Sequence, residues 1–322
     1  MTIKGRSPVW GGAAGGVCFL ALALGVLLTP RGVEGQDGLT YQRGQTISPT
    51  YEGWQANPDG SFNLLFGYMN RNWEERLKIP VGLDNSFSPG PADRGQPSYF
   101  MPRYTRMVFK VQVPPDFGDQ DLVWTLRAQG ETKRAYGTLH RDYYLDDQTY
   151  QAQRGVYGGG GFREGALENQ PPIAEIEGDK VRNVRVGEPL TLMAHVSDDG
   201  SLARSNSTLP VTEDGALDLE RALATKPTGH TMRTHFALTH SWFVHRGNGD
   251  AVTFDPDQVK TWWDTRPFQS RWSLFWVPPE EPQDGTWVTR VTFHEPGTYV
   301  LRGRTDDGGY LVDQDVTVHV TR

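Results

Sequence analysis

WVTRVTFHEPGTYVLRGRTDDGGYLVDQDVTVHV, residues 287–320, is the stretch of sequence that decides the fold class. In its last third, valines at 316, 318 and 320 alternate with polar residues at 315, 317 and 319. A repeat of two residues is typical of a strand with one face on a core. The turn motifs Pro296-Gly297 and Asp306–Gly309 divide the stretch into three runs. The stretch therefore predicts consecutive strands of a β-sandwich.

Working outward, the same pattern predicts one β-sandwich domain over residues 173–322. Pro189–Val196 (PLTLMAHV) is its clearest early strand, and a turn at Asp198–Gly200 follows. Two stretches interrupt the strands and are predicted as insertions. Residues 201–228 are polar, with a short helix expected at Leu217–Ala224, and residues 255–284 are rich in tryptophan and proline.

Residues 39–145 show alternation as well, notably in Phe62–Tyr68 and Met107–Val113. No segment shows an apolar stripe at the helical period of 3.6 residues. We therefore expect an all-β chain with two β-sandwich domains. Residues 146–172 join them and contain the run GGGG at 158–161 and Pro171-Pro172, so they are predicted as a Gly/Pro-rich linker.

The N-terminus has the three parts of a secretory signal peptide in the usual order. Lys4 and Arg6 precede the apolar run VCFLALALGVLL at residues 17–28, and Val33–Gly35 ends in a small residue. Residues 1–35 are therefore predicted as a signal peptide, and the mature chain as secreted or periplasmic. The alternative is an uncleaved segment that anchors the chain in the inner membrane, because residues 10–28 are just long enough to span a bilayer.

The composition excludes several classes of function. The net charge is −7 and the pI about 5.6, so nothing resembles the basic surface of a nucleic-acid-binding protein. The one cysteine, Cys18, lies in the apolar N-terminal run, so a cleaved chain would have none. Disulfides, thiolate nucleophiles and cysteine metal sites are then excluded.

Residues 291–310 (VTFHEPGTYVLRGRTDDGGY) resemble the last strands of PKD-type and related bacterial immunoglobulin-like domains, and residues 186–200 (VGEPLTLMAHVSDDG) resemble their first strands. The resemblance implies an immunoglobulin-like sandwich and no particular activity. Residues 66–72 (FGYMNRN) and 79–82 (IPVG) of the N-terminal half are similar to a family of uncharacterised secreted bacterial proteins. That similarity implies an exported protein of a Gram-negative bacterium.

Trp262, Trp263, Trp272 and Trp276 form the most distinctive local feature. Exposed flat rings on a β scaffold can stack on sugar rings, and exposed apolar patches often bind partners. The other interpretation is that the rings pack the insertion onto the sandwich, because aromatic side chains dominate core energetics.

Two acidic turns are candidates for calcium ligands. Asp198, Asp199, Asp306 and Asp307 are predicted at one end of a sandwich, where clustered carboxylates can hold Ca²⁺. The alternative is that these Asp-Gly motifs only make turns. No other cofactor is predicted. His230, His235, His240 and His245 recur every five residues, a spacing that a single strand cannot bring onto one zinc ion.

No catalytic residue is predicted, because the sequence has no nucleophile elbow, phosphate loop, dinucleotide fingerprint or His-Glu-x-x-His motif. We therefore expect an exported, non-catalytic structural or interaction protein whose partner is a protein or a cell-envelope component. One alternative is a carbohydrate- or polymer-binding protein that uses the tryptophan-rich insertion, with a polysaccharide as ligand. A second alternative is a hydrolase of unrecognised type. No nucleic-acid partner is expected, and membrane contact only through an uncleaved N-terminal segment.

Overall fold

Strands dominate the computed structural model, which describes residues 41–158, 161–205, 209–214, 216–224 and 235–322. The predicted signal peptide, residues 1–35, lies outside the described residues. Two short α-helices are α1 (Asp147–Gln153) and α2 (Leu219–Ala224). The strands are β1 (Ile47–Ala56), β2 (Phe62–Asn70), β3 (Leu77–Lys78), β4 (Asn85–Ser88), β5 (Tyr99–Phe100), β6 (Arg103–Val113), β7 (Leu122–Ala128), β8 (Glu131–Gly137), β9 (Tyr157–Gly158), β10 (Gly161–Phe162), β11 (Ile173–Ile176), β12 (Val181–Arg185), β13 (Pro189–Ser197), β14 (Thr239–Arg246), β15 (Val252–Asp255), β16 (Thr286–Phe293), β17 (Gly297–Asp306) and β18 (Leu311–Thr321).

The C-terminal half contains two four-stranded sheets with the orders β11-β13-β16-β15 and β12-β18-β17-β14. The pairings are antiparallel except that of β12 with β18, which is parallel. Alternation along β18 buries Val316, Val318 and Val320. Leu192 of β13 and Phe293 of β16 belong to the same buried cluster as these valines, so the apolar faces of the two sheets share a core.

The N-terminal half is built from three-stranded sheets with the orders β1-β2-β6 and β4-β7-β8, and β3 pairs with β5. Its core centres on Trp124, which is fully buried. The Trp124 ring stacks on Phe87 at 5.9 Å and meets Phe109 edge-on at 5.0 Å. Its indole N–H donates to Asn85 Oδ1 at 3.0 Å, so a large aromatic core carries no unpaired donor at this point.

The expectation of an all-β chain is confirmed, since the helices described are short and strands supply most of the main buried apolar cluster. The chain from residue 41 to 322 forms one compact unit. The domain limits at 39–145 and 173–322, with insertions at 201–228 and 255–284, stay a prediction.

Within residues 146–172, whose assignment as a linker stays a prediction, α1 packs on the C-terminal half. The Asp146 carboxylate accepts a hydrogen bond from the Thr149 backbone N–H at 2.7 Å and so caps α1. Tyr150 of this helix stacks on Tyr310 with 5.6 Å between ring centroids. The N-cap and this buried tyrosine explain why a segment with a glycine-rich centre begins as a packed helix.

The two halves meet through arginines on the outer face of β17. In an isolated sandwich this face would point into water, because Tyr299 and Leu301 point the other way, into the core. Here both faces are buried from Leu301 to Asp306. The Arg304 guanidinium donates to the Met107 carbonyl of β6 at 3.0 Å. The neighbouring Arg302 donates to the carbonyl of Val108.

Each of these arginines is also paired across the strand with an aspartate of β18. Arg302 lies opposite Asp315 and Arg304 opposite Asp313 in the sheet register. Both pairs are bidentate, with N–O distances of 2.7 and 2.7 Å for Arg302 and 2.8 and 2.7 Å for Arg304. The aspartates neutralise the guanidinium groups and fix their planes, which leaves the remaining N–H groups free to bind β6.

A second seam runs along β14, which is the edge strand of its sheet. The Ser98 N–H donates to the His245 carbonyl at 3.0 Å, and the Arg246 guanidinium binds Asp93 at 2.6 and 3.0 Å. Tyr99 lies against Gly249, where an added Cβ would come within 2.3 Å of the ring. The N-terminal half therefore covers part of an edge that would otherwise expose unpaired backbone groups.

Replacing Arg304 tests how much this junction contributes. We expect Arg304→Met to lower the free energy of unfolding by about 3–5 kcal/mol, because Asp313 and the Met107 carbonyl lose their partner in a buried site. Urea denaturation monitored by circular dichroism measures the change. Arg304→Lys, which keeps the charge but not the fork, should fall between Arg304→Met and wild type.

The matched control is Arg290→Met, which removes an exposed arginine 3.8 Å from Asp255. It should cost less than about 1 kcal/mol, as exposed ion pairs do. An equal effect of Arg304→Met and Arg290→Met would show that the buried junction has no special weight.

Candidate functional site

The four tryptophans of the predicted sugar-stacking set do not form one exposed platform. Trp272 and Trp276 are buried. Trp263 is half-buried, lies 5.8 Å from Trp272 with the ring planes inclined by 35°, and meets Tyr104 edge-on. Trp262 is half-buried and lines a cavity. Two members thus pack the insertion onto the sandwich, and Trp262 and Trp263 retain surface that a ligand could contact.

The tryptophan-rich insertion is held by charged groups that sequence reasoning did not single out. The Asp264 carboxylate is buried and binds Arg266 and Lys260, each at 2.7 Å. Burial would raise the pKa of Asp264, but its hydrogen bonds to Arg266 and Lys260 outweigh burial and hold that pKa below its usual range. The Trp263 N–H donates to the Tyr104 carbonyl at 2.9 Å, which ties the insertion to the N-terminal half.

Asp306, one of the predicted calcium ligands, is engaged by two arginines. Its Oδ1 atom lies 2.7 Å from Arg154 and 2.6 Å from Arg271. Burial would raise the pKa of Asp306, but the two guanidinium charges outweigh it and lower that pKa. This carboxylate therefore joins the segment after α1 to the insertion. No sequence pattern indicates this contact, because Arg154 and Arg271 are far from Asp306 along the chain.

The other three predicted ligands cap turns. Asp198 accepts the Gly200 N–H at 2.9 Å, and Asp199 accepts the Ser201 N–H at 2.8 Å. Asp307 accepts the N–H groups of Gly309 and Tyr310 and binds the Asn169 amide at 2.9 Å.

The turns nevertheless place Asp198 and Asp307 near each other. Burial raises the pKa of Asp307 to about 6, with smaller contributions from the charges of Asp306 and Asp198. Within the described ranges, no group of three or more histidine, cysteine or acidic side chains could hold a metal ion. Calcium at these turns stays a prediction, and the observed geometry is that of turn caps.

Two histidines lie in buried positions on β14, whereas His230 lies outside the described residues. His245 must donate from Nε2, because its partner at 2.8 Å is the Gly95 carbonyl, which can only accept. Burial lowers the pKa of His245 well below its usual value, and the nearby Arg302 charge adds to this. Burial also lowers the pKa of His240 to about 4. His235, which precedes β14, donates from Nε2 to the Ser273 carbonyl at 3.1 Å, so the series does not converge on one point.

An exposed apolar patch on the first insertion was missed by sequence reasoning. Val211, Leu217, Leu219 and Leu223 are about half exposed or more, at 53, 47, 52 and 61%. Val211 and Leu217 pair in an antiparallel bridge, and the Leu219 N–H lies 3.1 Å from the Leu217 carbonyl. Leu219 and Leu223 are one helical turn apart on α2, so they share a face. The spacing of these leucines was visible in the sequence, but their exposure was not.

The cavities differ in character. One of about 380 Å³ lies between the halves, and its charged lining includes Arg302, Asp313 and Asp315, which form the ion pairs of the junction. Carboxylates held in this way act as structural groups. A second cavity, of about 420 Å³, is lined by apolar side chains of β14 and β15 and by residues 257–262.

None of the helices in the described ranges combines the length and apolarity needed to span a bilayer.

Comparison with known proteins gives neither a matching family model nor a matching curated protein. Similar solved structures include three N-terminal domains of the bacteriophage RB49 Highly Immunogenic Outer Capsid protein, with 9% identity, a TM-score of 0.19 and 85% of this chain covered. The S-layer protein SbsC is 9% identical, with a TM-score of 0.22 and 86% of this chain covered. Sidekick-1 immunoglobulin domains 1–4 are 11% identical, with a TM-score of 0.22 and 86% of this chain covered.

This chain spans 58, 28 and 48% of those three chains, respectively. Because the TM-scores are this low, the all-β assignment comes from the strands of this chain itself. The PKD-type resemblance and the relationship of the N-terminal half stay predictions.

Acid should weaken the folded state through His245. Below about pH 6.5 the unfolded chain binds a proton on this histidine that the folded chain does not, so the free energy of unfolding falls as the pH falls. His245→Gln keeps a donor for the Gly95 carbonyl and removes the titration. The pH slope of the free energy of unfolding should then flatten by up to about 1.4 kcal/mol per pH unit.

Asp307 changes the free energy of unfolding with pH in the opposite direction. Because its pKa is raised in the folded state, it stabilises that state at low pH, and this stabilisation is lost as the pH rises through about 6. It is common to wild type and variant and cancels in their difference. His319→Gln, at an exposed position, is the control. If the pH slope of the free energy of unfolding were the same in His245→Gln as in wild type, His245 would not be the source of the acid sensitivity.

Proposed function

We propose that the chain is an exported, non-catalytic interaction protein that binds another protein through the patch formed by Val211, Leu217, Leu219 and Leu223. The exposure of these four aliphatic side chains on one small insertion carries the proposal. A contiguous apolar surface in water is unfavourable unless something covers it, and such surfaces commonly mark protein interaction sites.

The packing of the strands and of α2 supports the proposal that the protein presents this patch to a partner. The two halves are joined by the buried pairs of Arg302 and Arg304, so the strands form a firm base. Ala222, three residues after Leu219 on α2, is fully buried and anchors the helix. The Asp218 carboxylate accepts the Arg221 N–H at 2.9 Å at the start of the helix. The helix is thus anchored at Ala222, while Leu219 and Leu223 beside it stay exposed.

The charge around the patch defines the kind of partner. Glu213, Asp214, Asp218 and Glu220 are interspersed with the aliphatic residues along positions 211–224, and Arg221 is the one basic residue in that range. Four carboxylates and one guanidinium give a net charge of −3 over residues 211–224. Two copies of this patch would repel each other, whereas a protein with an apolar surface flanked by lysine or arginine would be attracted. The proposed partner is therefore a second protein with a basic rim.

Export is part of the same proposal and is supported by the N-terminal sequence, with Lys4 and Arg6 before the apolar run at 17–28. The proposal favours a cleaved segment and a periplasmic or secreted chain. The carbohydrate-binding alternative has less support, because Trp272 and Trp276 are buried.

The test combines site-specific photo-crosslinking with a matched pair of variants. A photoreactive residue at position 223 should trap a heterologous protein in cells, and one at position 288, an exposed valine of β16, should not. Leu219→Ser with Leu223→Ser should weaken binding of the purified partner at least about tenfold, or about 1.4 kcal/mol. Val181→Ser with Val288→Ser, which also removes two exposed aliphatic side chains, should leave the affinity unchanged.

Salt should weaken the complex, because the rim interaction is between exposed charges. Equal affinity of the patch and control variants for the trapped protein would refute the proposed surface. A crosslink from position 223 to a second copy of this chain would also refute it.

A further inference from the structure

The cavity of about 420 Å³ lies where three parts of the chain meet. Its lining comes from β14 and β15, from the first residues of the tryptophan-rich insertion, and from Arg76, Tyr99 and Met101 of the N-terminal half. Its volume falls in the lower part of the range for small-molecule sites, roughly 300–1,000 Å³. The docking of the two halves thus creates a space that neither half has alone.

The walls of this cavity are mostly apolar and aromatic. Tyr99, Trp242 and Phe243 are buried, and Phe254 and Trp262 are half-buried. Such walls favour the apolar body of a ligand, because each buried aromatic or aliphatic group removes surface from water. Trp262 is the member of the predicted sugar-stacking set that this cavity uses.

Two of the lining residues each carry a buried polar atom that has no partner within the described part of the chain. The indole N–H of Trp242 is buried without an acceptor, and so is the hydroxyl of Thr261. An unpaired buried polar group costs about 1–3 kcal/mol. The backbone N–H of Trp242 does have an acceptor, the Gln258 side-chain oxygen at 2.8 Å. The shortage is therefore one of acceptors, and a ligand that brings acceptor atoms would supply it.

The two basic side chains that line the cavity, Lys260 and Arg76, differ in their hydrogen-bond and ion-pair partners. Lys260 lines the cavity but binds Asp264 at 2.7 Å and Gln269 at 2.5 Å. The lining guanidinium of Arg76 is exposed and makes no ion pair within 4 Å among the residues that the structure describes. It interacts with Tyr99 and with the charge of Asp250, but that carboxylate is already bound to Lys78 at 2.8 Å and to the Tyr99 hydroxyl at 2.6 Å. A guanidinium presents paired N–H donors that match the two oxygens of a carboxylate.

We infer that this cavity binds a small carboxylic acid with an aryl or alkyl body. The body lies against the aromatic walls, and the carboxylate accepts from Arg76, with the Trp242 indole and the Thr261 hydroxyl as further donors. A sugar fits less well, because its hydroxyls need acceptors as well as donors. A cationic ligand fits less well too, since Asp257, the one carboxylate among the described lining residues, is exposed.

Isothermal titration calorimetry with defined probes tests the inference on the full mature chain. The probes are benzoate, phenylacetate, indole-3-acetate and octanoate, with phenylacetamide as the neutral partner of phenylacetate and glucose as a sugar. At least one acid should bind with one-to-one stoichiometry below about 1 mM. Its neutral amide should bind at least about tenfold more weakly, and glucose should not bind.

Three variants locate the site. Arg76→Gln and Thr261→Val should each weaken the acid that binds, Arg76→Gln by about tenfold or more. Trp242→Phe should weaken it while preserving most of the apolar wall. Arg127→Gln, at an exposed arginine on β7, is the control and should bind as wild type does.

The folding of each variant is checked by urea denaturation. Thr261→Val and Arg76→Gln are the decisive variants, because Val is similar in size to Thr and Arg76 is exposed, so neither change should disturb folding. No saturable binding of any of the four acids would overturn the inference. Equal binding of phenylacetate and phenylacetamide, or binding untouched by both Arg76→Gln and Thr261→Val, would overturn it as well. Failure here leaves the protein-binding patch on residues 211–224 unaffected, since the two sites share no residue.

Discussion

Most of the architecture depends on two arginines that are buried between the halves of the chain. Arg302 and Arg304 stand on the face of β17 that alternation assigns to solvent, and they are 8 and 2% exposed. Taking a guanidinium out of water is costly, and the cost is offset only where a counter-ion and hydrogen bonds are both present. Asp315 and Asp313 supply the charge, and carbonyl groups of β6 supply further acceptors.

This constraint explains why the N-terminal half sits where it does. If β6 moved away, the guanidinium groups would lose acceptors, and the edge of β14 would lose the cover that Ser98 provides. The same docking encloses the cavity lined by Tyr99 and Trp242 and positions the tryptophan-rich insertion through the Tyr104 carbonyl. The exposed patch around Leu219 and Leu223 lies on the other insertion and takes no part in the junction.

Sequence patterns predicted the strands well and their assembly poorly. Alternation along residues 312–320 follows from local burial, so it marked β18 and its neighbours correctly. Arg302 and Arg304 fitted the same alternation as solvent-facing residues, and nothing local to them shows that another sheet covers that face. The same limit applies to Asp306, whose partners Arg154 and Arg271 are distant in sequence. The glycine run at 158–161 suggested a linker, whereas the helix beside it packs through Tyr150.

The candidate sites divide in the same way. The tryptophans at 262, 263, 272 and 276 were found from composition, but only the fold separates the buried pair from the two with free surface. The acidic turns were found as motifs, and hydrogen bonds to backbone N–H groups account for their carboxylates. The cavity beside Trp242 had no sequence signal, because it arises from the contact of segments on both halves.

The buried arginines of β17 join the two halves, so we expect the halves to unfold as one cooperative unit. Differential scanning calorimetry of the mature chain measures this directly. One endotherm, with the calorimetric enthalpy equal to the van't Hoff enthalpy, is the predicted result, because separating the halves would leave Arg302 and Arg304 without their β6 acceptors. Two resolved transitions, or a calorimetric enthalpy about twice the van't Hoff value, would show that the two halves unfold separately.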